Sequence, residues 1–483
     1  MSAAPLRPAL AGRWREFASA RWWLERLRSA WAQPELRWLA AILVLAAALR
    51  IAWVIYAARE PQGIHDPVFY YGYGKAMARG GHYALPDGYT AYYPIAYPAV
   101  VAGVFALVIH TPIPDNLVMA SAFFNVVLGV ATVGLLYEVA RRLFSPAVGL
   151  VAAFWLAVFP NLIYHTATFL TETLFNFLIV AALLVLLGAD WKERRLDWWR
   201  LGLFGALVAW SALVRPISLL FLPLLPIVWL FAGFGWRRVA AYTGAVVGVT
   251  VALIVPWTVR NLIVMDSPVI ISTNLGDNLC MGNYAGAPGH FALPDVCFSE
   301  APYVGLRREE FEVRRNNDNT RKAITFALHN PRYELQLLSR KSFYTWNHDH
   351  DGLLAVESYG DDRFLSDGAR NALGKAADVF FFTTISLGGL GLAAFVVKPR
   401  DPRRTFMLLA LLAMAGSPLP FFGDARFHIP TLPPLVVGGA WLLVTGWQAA
   451  PRLLAQASAP ASAAVEGAEG EGPVAKEDAL EDA

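Results

Sequence analysis

The sequence predicts an all-α integral membrane protein with about ten transmembrane helices. Three observations predict it. Apolar runs of 18 or more residues recur along most of the 483 residues, as a hydrocarbon core roughly 30 Å thick requires. Charged residues make up 16% of the chain and hydrophobic ones 56%, with mean hydropathy +0.44, whereas soluble domains carry about 25% charge. Finally, the Lys and Arg clusters fall in alternate short loops.

Residues 1–37 read as a cytoplasmic interfacial segment. Arg13, Arg15, Arg21, Arg26, Arg28 and Arg37 alternate with Trp14, Trp22, Trp23 and Trp31, and Trp38 opens the first span. That pattern suits a helix lying at the headgroup level. The apolar stretch behind it is too long for a signal peptide, and no A-x-A cleavage site follows. The expected spans are 38–57, 116–140, 146–164, 167–188, 200–214, 217–234, 239–257, 376–397, 405–421 and 430–448. With these spans the basic N-terminus, Arg141-Arg142, the Lys192–Arg200 cluster, Arg237-Arg238 and Lys398–Arg404 all share one side. By the positive-inside bias that side is the cytoplasm. Residues 97–110 are apolar but short for a span, so 58–115 reads as one external loop containing surface helices. Residues 258–375 form a larger external loop, with an amphipathic pattern at Ile324, Leu328, Leu335 and Leu338 that suits a helix lying on the bilayer. Residues 376–448 hold the last transmembrane helices, and 449–483 form an Ala/Glu/Gly/Pro-rich cytoplasmic tail that is disordered by composition. The abundance of Arg and Ala points to a GC-rich bacterial source and hence to the plasma membrane. A net charge of +3 with no basic stripe away from the membrane flanks leaves membrane lipids as partners and excludes nucleic acid.

Cys280 and Cys297 lie together in the large loop. On an oxidising external face they can form a disulfide; in a cytosolic loop they would remain thiols. Two ligands are too few for a metal centre.

Ionisable residues at a membrane face are costly to place, so they mark candidate chemistry. His65-Asp66-Pro67-Val68-Phe69-Tyr70 follows the first span. Asp66 can take the proton of an attacking hydroxyl, or it can serve as a helix N-cap ahead of Pro67; the two roles are compatible. Glu172, near the outer end of a span, can cap its helix, pair with an arginine or orient a substrate. Arg215, Arg260 and Arg426 sit on the face opposite the basic loops. Guanidinium groups bind phosphate bidentately; the alternative is headgroup anchoring and internal pairing, as of Arg426 with Asp424. Arg340 and Lys341 suit headgroup or donor-phosphate contacts. The run His348-Asp349-His350-Asp351 reads as a solvated turn, with a divalent metal not excluded.

The order of these segments resembles a known family. An acidic residue stands in HDPVFYYGYGKAMARGGHY, followed by YPIAYP, YEVARRLFSPAVGLVAAFW, FLTETLFNFLIVAALLVLL, ALVRPISLLFLP, VPWTVRNLIVMDSPVIISTNLGDNLCMGNY and GDARFHIPTLPPL. The chain resembles the GT-C glycosyltransferases of family 39, the dolichyl-phosphate-mannose protein mannosyltransferase type, with its aminoarabinose-transferase and Rgt-like relatives. The resemblance spans 38–448. It implies a GT-C transmembrane module at 38–257 and inverting transfer of a monosaccharide. The donor is a polyprenyl phosphate, and the acceptor is an envelope glycan, lipid or protein outside the cytoplasm. No cofactor is implied.

The family's acidic catalytic residue falls on Asp66. Relatives often follow it with Glu, where this chain has Pro67; a second carboxylate role then passes to Glu172, with Tyr70 and His65 as further orienting residues. Relatives also carry a Lys or His-Pro-Pro element where this chain has Tyr92-Tyr93-Pro94-Ile95, which leaves Arg215, Arg260, Arg426 and Lys341 to hold the donor phosphate. The competing readings are a polysaccharide or lipid transporter and an O-antigen polymerase or ligase.

Overall fold

A computed structural model describes residues 33–111, 116–397 and 401–457, without the side chains of 395–397 and 452–457. The basic segment up to residue 32, Lys398, Arg400 and the tail beyond 457 lie outside the described residues. The fold is all-α; the strands are a single two-residue pair, Ala84–Leu85 with Gly88–Tyr89.

Each expected span falls on a helix. Five are long and apolar enough to cross a bilayer unaided among the described residues: Pro34–Ala57, Leu117–Leu143, Trp236–Val264, Asp367–Ala394 and Ala425–Pro451. Glu172–Leu187, Trp198–Val214 and Pro216–Phe231 are shorter apolar helices. The expected span 146–164 is broken. Pro146–Ala157 and Pro160–Ala167 meet at 60°, because Pro160 has no N–H to give and holds Phe159 in the extended region, φ −68° and ψ 112°. The break strands carbonyls in an apolar interior. Arg50, 1% exposed, donates to Ala157 O at 2.8 Å and Leu156 O at 3.3 Å. Gly129 permits this, since a Cβ there would stand 2.8 Å from Arg50 Nε.

The basic loops meet at one end of the bundle. Arg142 donates to Gly188 O, Arg403 to Leu187 O and Ala189 O, Arg404 to Leu143 O, and Arg238 to Arg194 O. Cations thus cap helix C-termini that would otherwise present bare carbonyls. At the last helix pair, a Cβ at Gly391 would collide with Gly438 O; small residues let these backbones touch, as membrane helices require.

The opposite end carries the two expected loops. Asp66–Ala78 packs on Ala96–Ile109 where Gly74 abuts Val101. The large loop folds into the helices Leu275–Gly282, Arg308–His329, Pro331–Trp346 and Asp351–Val356. The amphipathic pattern is therefore two helices, divided at Asn330 because Pro331 begins the second. Ile324, Leu328 and Leu335 remain exposed along them. Two buried carboxylates latch this loop onto the first. Glu312 accepts from Thr90 Oγ1 at 2.6 Å, Ala91 N at 3.1 Å, Thr273 Oγ1 at 3.1 Å and Arg308 Nε at 3.1 Å. Asp277 accepts from Tyr92 Oη at 3.0 Å, Arg315 Nη2 at 2.8 Å and Asn319 Nδ2 at 2.8 Å. Cys280 and Cys297 form a disulfide.

Candidate active site

Asp66 is the first residue of the Asp66–Ala78 helix; the cap position is His65, and no side chain caps the helix. The N-cap alternative for Asp66 is thereby corrected. Pro67 already supplies the preset φ and needs no donor, so the Asp66 carboxylate is released for other contacts. Its Oδ1 accepts from Tyr93 Oη at 2.8 Å, and its Oδ2 accepts from Arg426 Nη1 at 2.9 Å. The side chain keeps 33% of its surface exposed. A carboxylate fixed on both oxygens yet still open to solvent is poised to meet a substrate hydroxyl.

Arg426 lies in the short 3-10 segment Ala425–Thr431, ahead of the last helix. It is nearly buried and faces three carboxylates: Asp66, Asp424 at 3.5 Å and Asp351 at 3.9 Å. Asp424 also accepts from Arg426 N at 2.9 Å, which sets the turn. Burial and the neighbouring Asp424 push the Asp351 carboxyl well above the usual carboxylate range.

Glu172 begins its own helix, is 1% exposed and is ion-paired with Arg215, whose Nε donates to Thr171 Oγ1 at 2.6 Å. Arg215 is itself the C-cap of Trp198–Val214. Tyr70 is within range of both pairs. It is buried against Tyr93 and Tyr97, with ring centroids at 4.9 and 5.0 Å, and lies within electrostatic reach of Asp66, Glu172, Arg215 and Arg426. His65 is on the exposed side of Asp66, with Nε2 3.2 Å from Asp361 Oδ2.

Two of the expected phosphate ligands are placed elsewhere. Arg260 donates to Tyr83 O and Thr90 O, each at 2.8 Å, and stacks over Trp257 at 4.8 Å. It pins the β-turn rather than facing Asp66. Lys341 is wholly buried, with Nζ donating to Asn283 Oδ1 at 2.8 Å and ion-paired with Glu334 at 3.7 Å. It is not presented to headgroups or to a donor phosphate; the loop folds over it, and burial lowers its pKa.

The His348–Asp351 run is not one solvated turn. His348 meets Asn347 and His350 pairs with Asp378, while Asp349 is buried against Asn161 and His428. Asp351 alone turns to Arg426. Sequence reading missed Tyr93, Asp351 and Asp349 as partners. The available signal was that acids in a chain this poor in charge need a buried cation or donor. A cavity of about 810 Å³ lined by Asp190, Arg195, Trp198, Arg200, Arg238 and Tyr242 lies at the basic end, remote from Asp66.

Residues 96–259, about a third of the chain, match the family described as dolichyl-phosphate-mannose-protein mannosyltransferase. That segment holds Glu172 and Arg215; Asp66, Asp351 and Arg426 flank it. Among solved structures, the Archaeoglobus fulgidus oligosaccharyltransferase in the apo form is similar with TM-score 0.53 at 15% identity, over 89% of this chain and 52% of that one. The same archaeal enzyme, tethered to an acceptor peptide containing the NVT sequon, gives 0.50 at 16% identity, over 85% and 50%. The chain spans about half the length of these proteins. The likeness shows a shared fold, the all-α membrane architecture that the order of motifs led us to expect. No curated protein sequence matches the chain.

Proposed function

We propose that the protein is a membrane glycosyltransferase that moves a monosaccharide from a polyprenyl phosphate to a hydroxyl on an envelope glycan, lipid or protein. The work is done at the outer face of a bacterial plasma membrane. The match to the mannosyltransferase family and the fold support the class. The contact of Asp66 with Arg426 carries the mechanism. The acceptor oxygen attacks the anomeric carbon from the face opposite the phosphate. The bond from that carbon to the phosphate oxygen breaks, and the configuration inverts. The hydroxyl proton passes to Asp66, which Tyr93 and Arg426 hold in place. Charge grows on the departing lipid phosphate, and Arg426 and Arg215 supply the cations that stabilise it. Glu172 keeps Arg215 in position. A transporter would call for its working charges near the bilayer midplane. Here Asp66, Glu172, Arg215 and Arg426 lie at helix ends.

The test is reconstitution of purified protein in liposomes with lipid-linked sugars from the source membrane, read out as released polyprenyl phosphate and labelled acceptor. Asp66→Asn is expected to insert and melt like the parent while transfer falls roughly 10²- to 10⁴-fold. Full transfer by that variant would sink the assignment.

A further inference from the structure

Buried polar atoms in folded proteins almost always find a partner. Here several that lack one gather around Arg426. His165 is 1% exposed, and neither ring nitrogen has a hydrogen-bond partner among the described residues. Its imidazole lies within electrostatic reach of Glu172, Arg215, Arg426 and His428. Asp351 is 6% exposed, and among the described residues its Oδ2 has no hydrogen-bond partner, although Arg426 Nε, which also lacks one, stands 3.9 Å away. The buried Tyr359 hydroxyl is also without a partner and lies within reach of Asp66, Asp351, Asp424 and Arg426. His165 and Asp351 are neighbours across the fold. A Cβ on Gly352, the residue after Asp351, would stand 2.9 Å from His165 Cδ2.

The backbone supplies an independent sign. Ser358 and Tyr359 are consecutive non-glycine residues in the left-handed region, with φ 49° and 53°. Such strain persists only where the surroundings over-determine it, and it gathers at ligand sites. The surroundings do so here. Glu357 accepts from Phe364 N at 3.0 Å and Leu365 N at 2.9 Å, and it pairs with Arg370. Ser358 Oγ accepts from Gln62 N at 3.0 Å, and the His65 ring rests 5.0 Å from that of Tyr359. The turn is thereby pinned to the chain just ahead of Asp66, with Tyr359 aimed inward.

The chemistry of these groups selects a ligand. A neutral imidazole has one donor and one acceptor, a phenol has both, a carboxylate accepts and a guanidinium N–H donates. Sugar hydroxyls, each both donor and acceptor, match that mixture. A phosphate offers acceptors only and could not answer the acceptor atoms of His165, Tyr359 and Asp351, and a prenyl chain offers nothing polar.

We infer that His165, Asp351 and Tyr359 form the subsite that reads the hydroxyl groups of the transferred sugar, with Arg426 Nε completing it. This rests on the transferase reading above and adds the residues that set sugar specificity. They bind the donor's sugar ring, while Asp66 handles the acceptor.

The test uses the full chain in liposomes with undecaprenyl-phosphate mannose, glucose and galactose as donors, and sugar-free undecaprenyl phosphate as a competing inhibitor. In Tyr359→Phe and His165→Gln, kcat/KM for the best donor should fall roughly 10-fold per hydrogen bond lost. Discrimination among the three epimers should narrow, and inhibition by the sugar-free lipid should stay at the parent level. If both variants keep the parent's kcat/KM and epimer preference, the subsite is overturned. It is equally overturned if inhibition by the sugar-free lipid weakens in step with kcat/KM. Tyr359→Phe, which removes one oxygen, decides the matter should His165→Gln lower the melting temperature. A parent that transfers no sugar from any lipid-linked donor, the source-membrane lipids included, would instead overturn the transferase reading itself.

Discussion

Arg426 Nη1 donates a 2.9 Å hydrogen bond to Asp66 Oδ2 across 360 positions of the chain. This one contact joins the start of the first long loop to the turn that opens the last helix. The guanidinium also pairs with Asp424 and stands 3.9 Å from Asp351, so its loss would leave the Asp66 and Asp424 carboxylates without their cation in a half-buried site.

Arg426→Gln is therefore expected to lower transfer by about 10²- to 10³-fold, the range for removing a preorganised charged donor. It should also cost stability, on the order of 3–5 kcal/mol for breaking a buried pair. Arg426→Lys should recover part of the stability and little of the rate, because an ammonium cannot span three carboxylates as a planar fork does. Transfer assays and thermal unfolding in detergent check both. Equal activity in Arg426→Lys and the parent would show that charge alone matters here.

Tyr93 makes a narrower claim. Its hydroxyl gives Asp66 Oδ1 a 2.8 Å bond, and its ring packs on Tyr70 at 4.9 Å. Tyr93→Phe keeps the ring. Stability should change by about 1 kcal/mol, while kcat should fall roughly 10-fold with KM for the donor little changed, since only the orientation of the base is loosened. A rise in KM without a fall in kcat would place Tyr93 in substrate binding instead.

How much of this was legible beforehand follows from which forces act locally. Spans and basic loops were legible because hydrophobic length and charge segregation are read residue by residue. Asp66 and Arg426 stood out as charges beside apolar helix ends. Their pairing did not, because it depends on how helices separated by 360 residues dock. Asp351 was visible only as part of an acidic and basic run whose four members face four different neighbours. Lys341 and Arg260 looked like exposed cations. Nothing local showed that the large loop would fold over Lys341, or that the carbonyls of Tyr83 and Thr90 would claim Arg260. The break at Pro160 was signalled by the proline itself, but the apolar run on either side masked it.

The latch between the two loops should hold the site together. Glu312 is fully buried and serves four donors from three segments. Glu312→Ala leaves several buried donors unpaired and Arg308 with only the longer 3.7 Å pairing to Asp87, so a loss of about 3 kcal/mol is expected. Transfer should fall with it, because the segment of Thr90 and Ala91 that follows the Gly88–Tyr89 strand leads directly to Tyr93. Limited proteolysis should cut first within residues 84–95. If the variant melts like the parent, the latch is not what orders that segment.

Asp351 predicts a pH dependence with a definite sign. Burial and Asp424 raise its value in the folded protein, so the folded state holds its proton more tightly than the unfolded chain does. The stability this lends is complete below the ordinary carboxylate range and is lost as pH rises through the folded value. Asp351→Asn, which cannot ionise, should flatten the melting-temperature profile between about pH 5 and about pH 8 and gain most at the alkaline end. A variant whose profile runs parallel to the parent's would mean that Asp351 does not titrate in this interval.

The disulfide tests both stability and orientation. Cys280 and Cys297 are 1% and 2% exposed, and the bridge closes a separation of 17 residues. It fastens the short helix Asp295–Phe298 to Leu275–Gly282, while Asn319 Nδ2 donates to Cys297 O at 2.9 Å from the long loop helix. In the chain-entropy account a loop of this size is worth about 3 kcal/mol, so Cys280→Ser should lower the melting temperature, and reductant should affect only the parent. The bond also needs an oxidising compartment. Protein denatured directly from intact cells, with free thiols trapped by a maleimide, should label at neither cysteine until it is reduced. Two labelled thiols without reduction would put the large loop, and with it Asp66 and Arg426, on the cytoplasmic side. A donor presented at the outer leaflet could not then reach them.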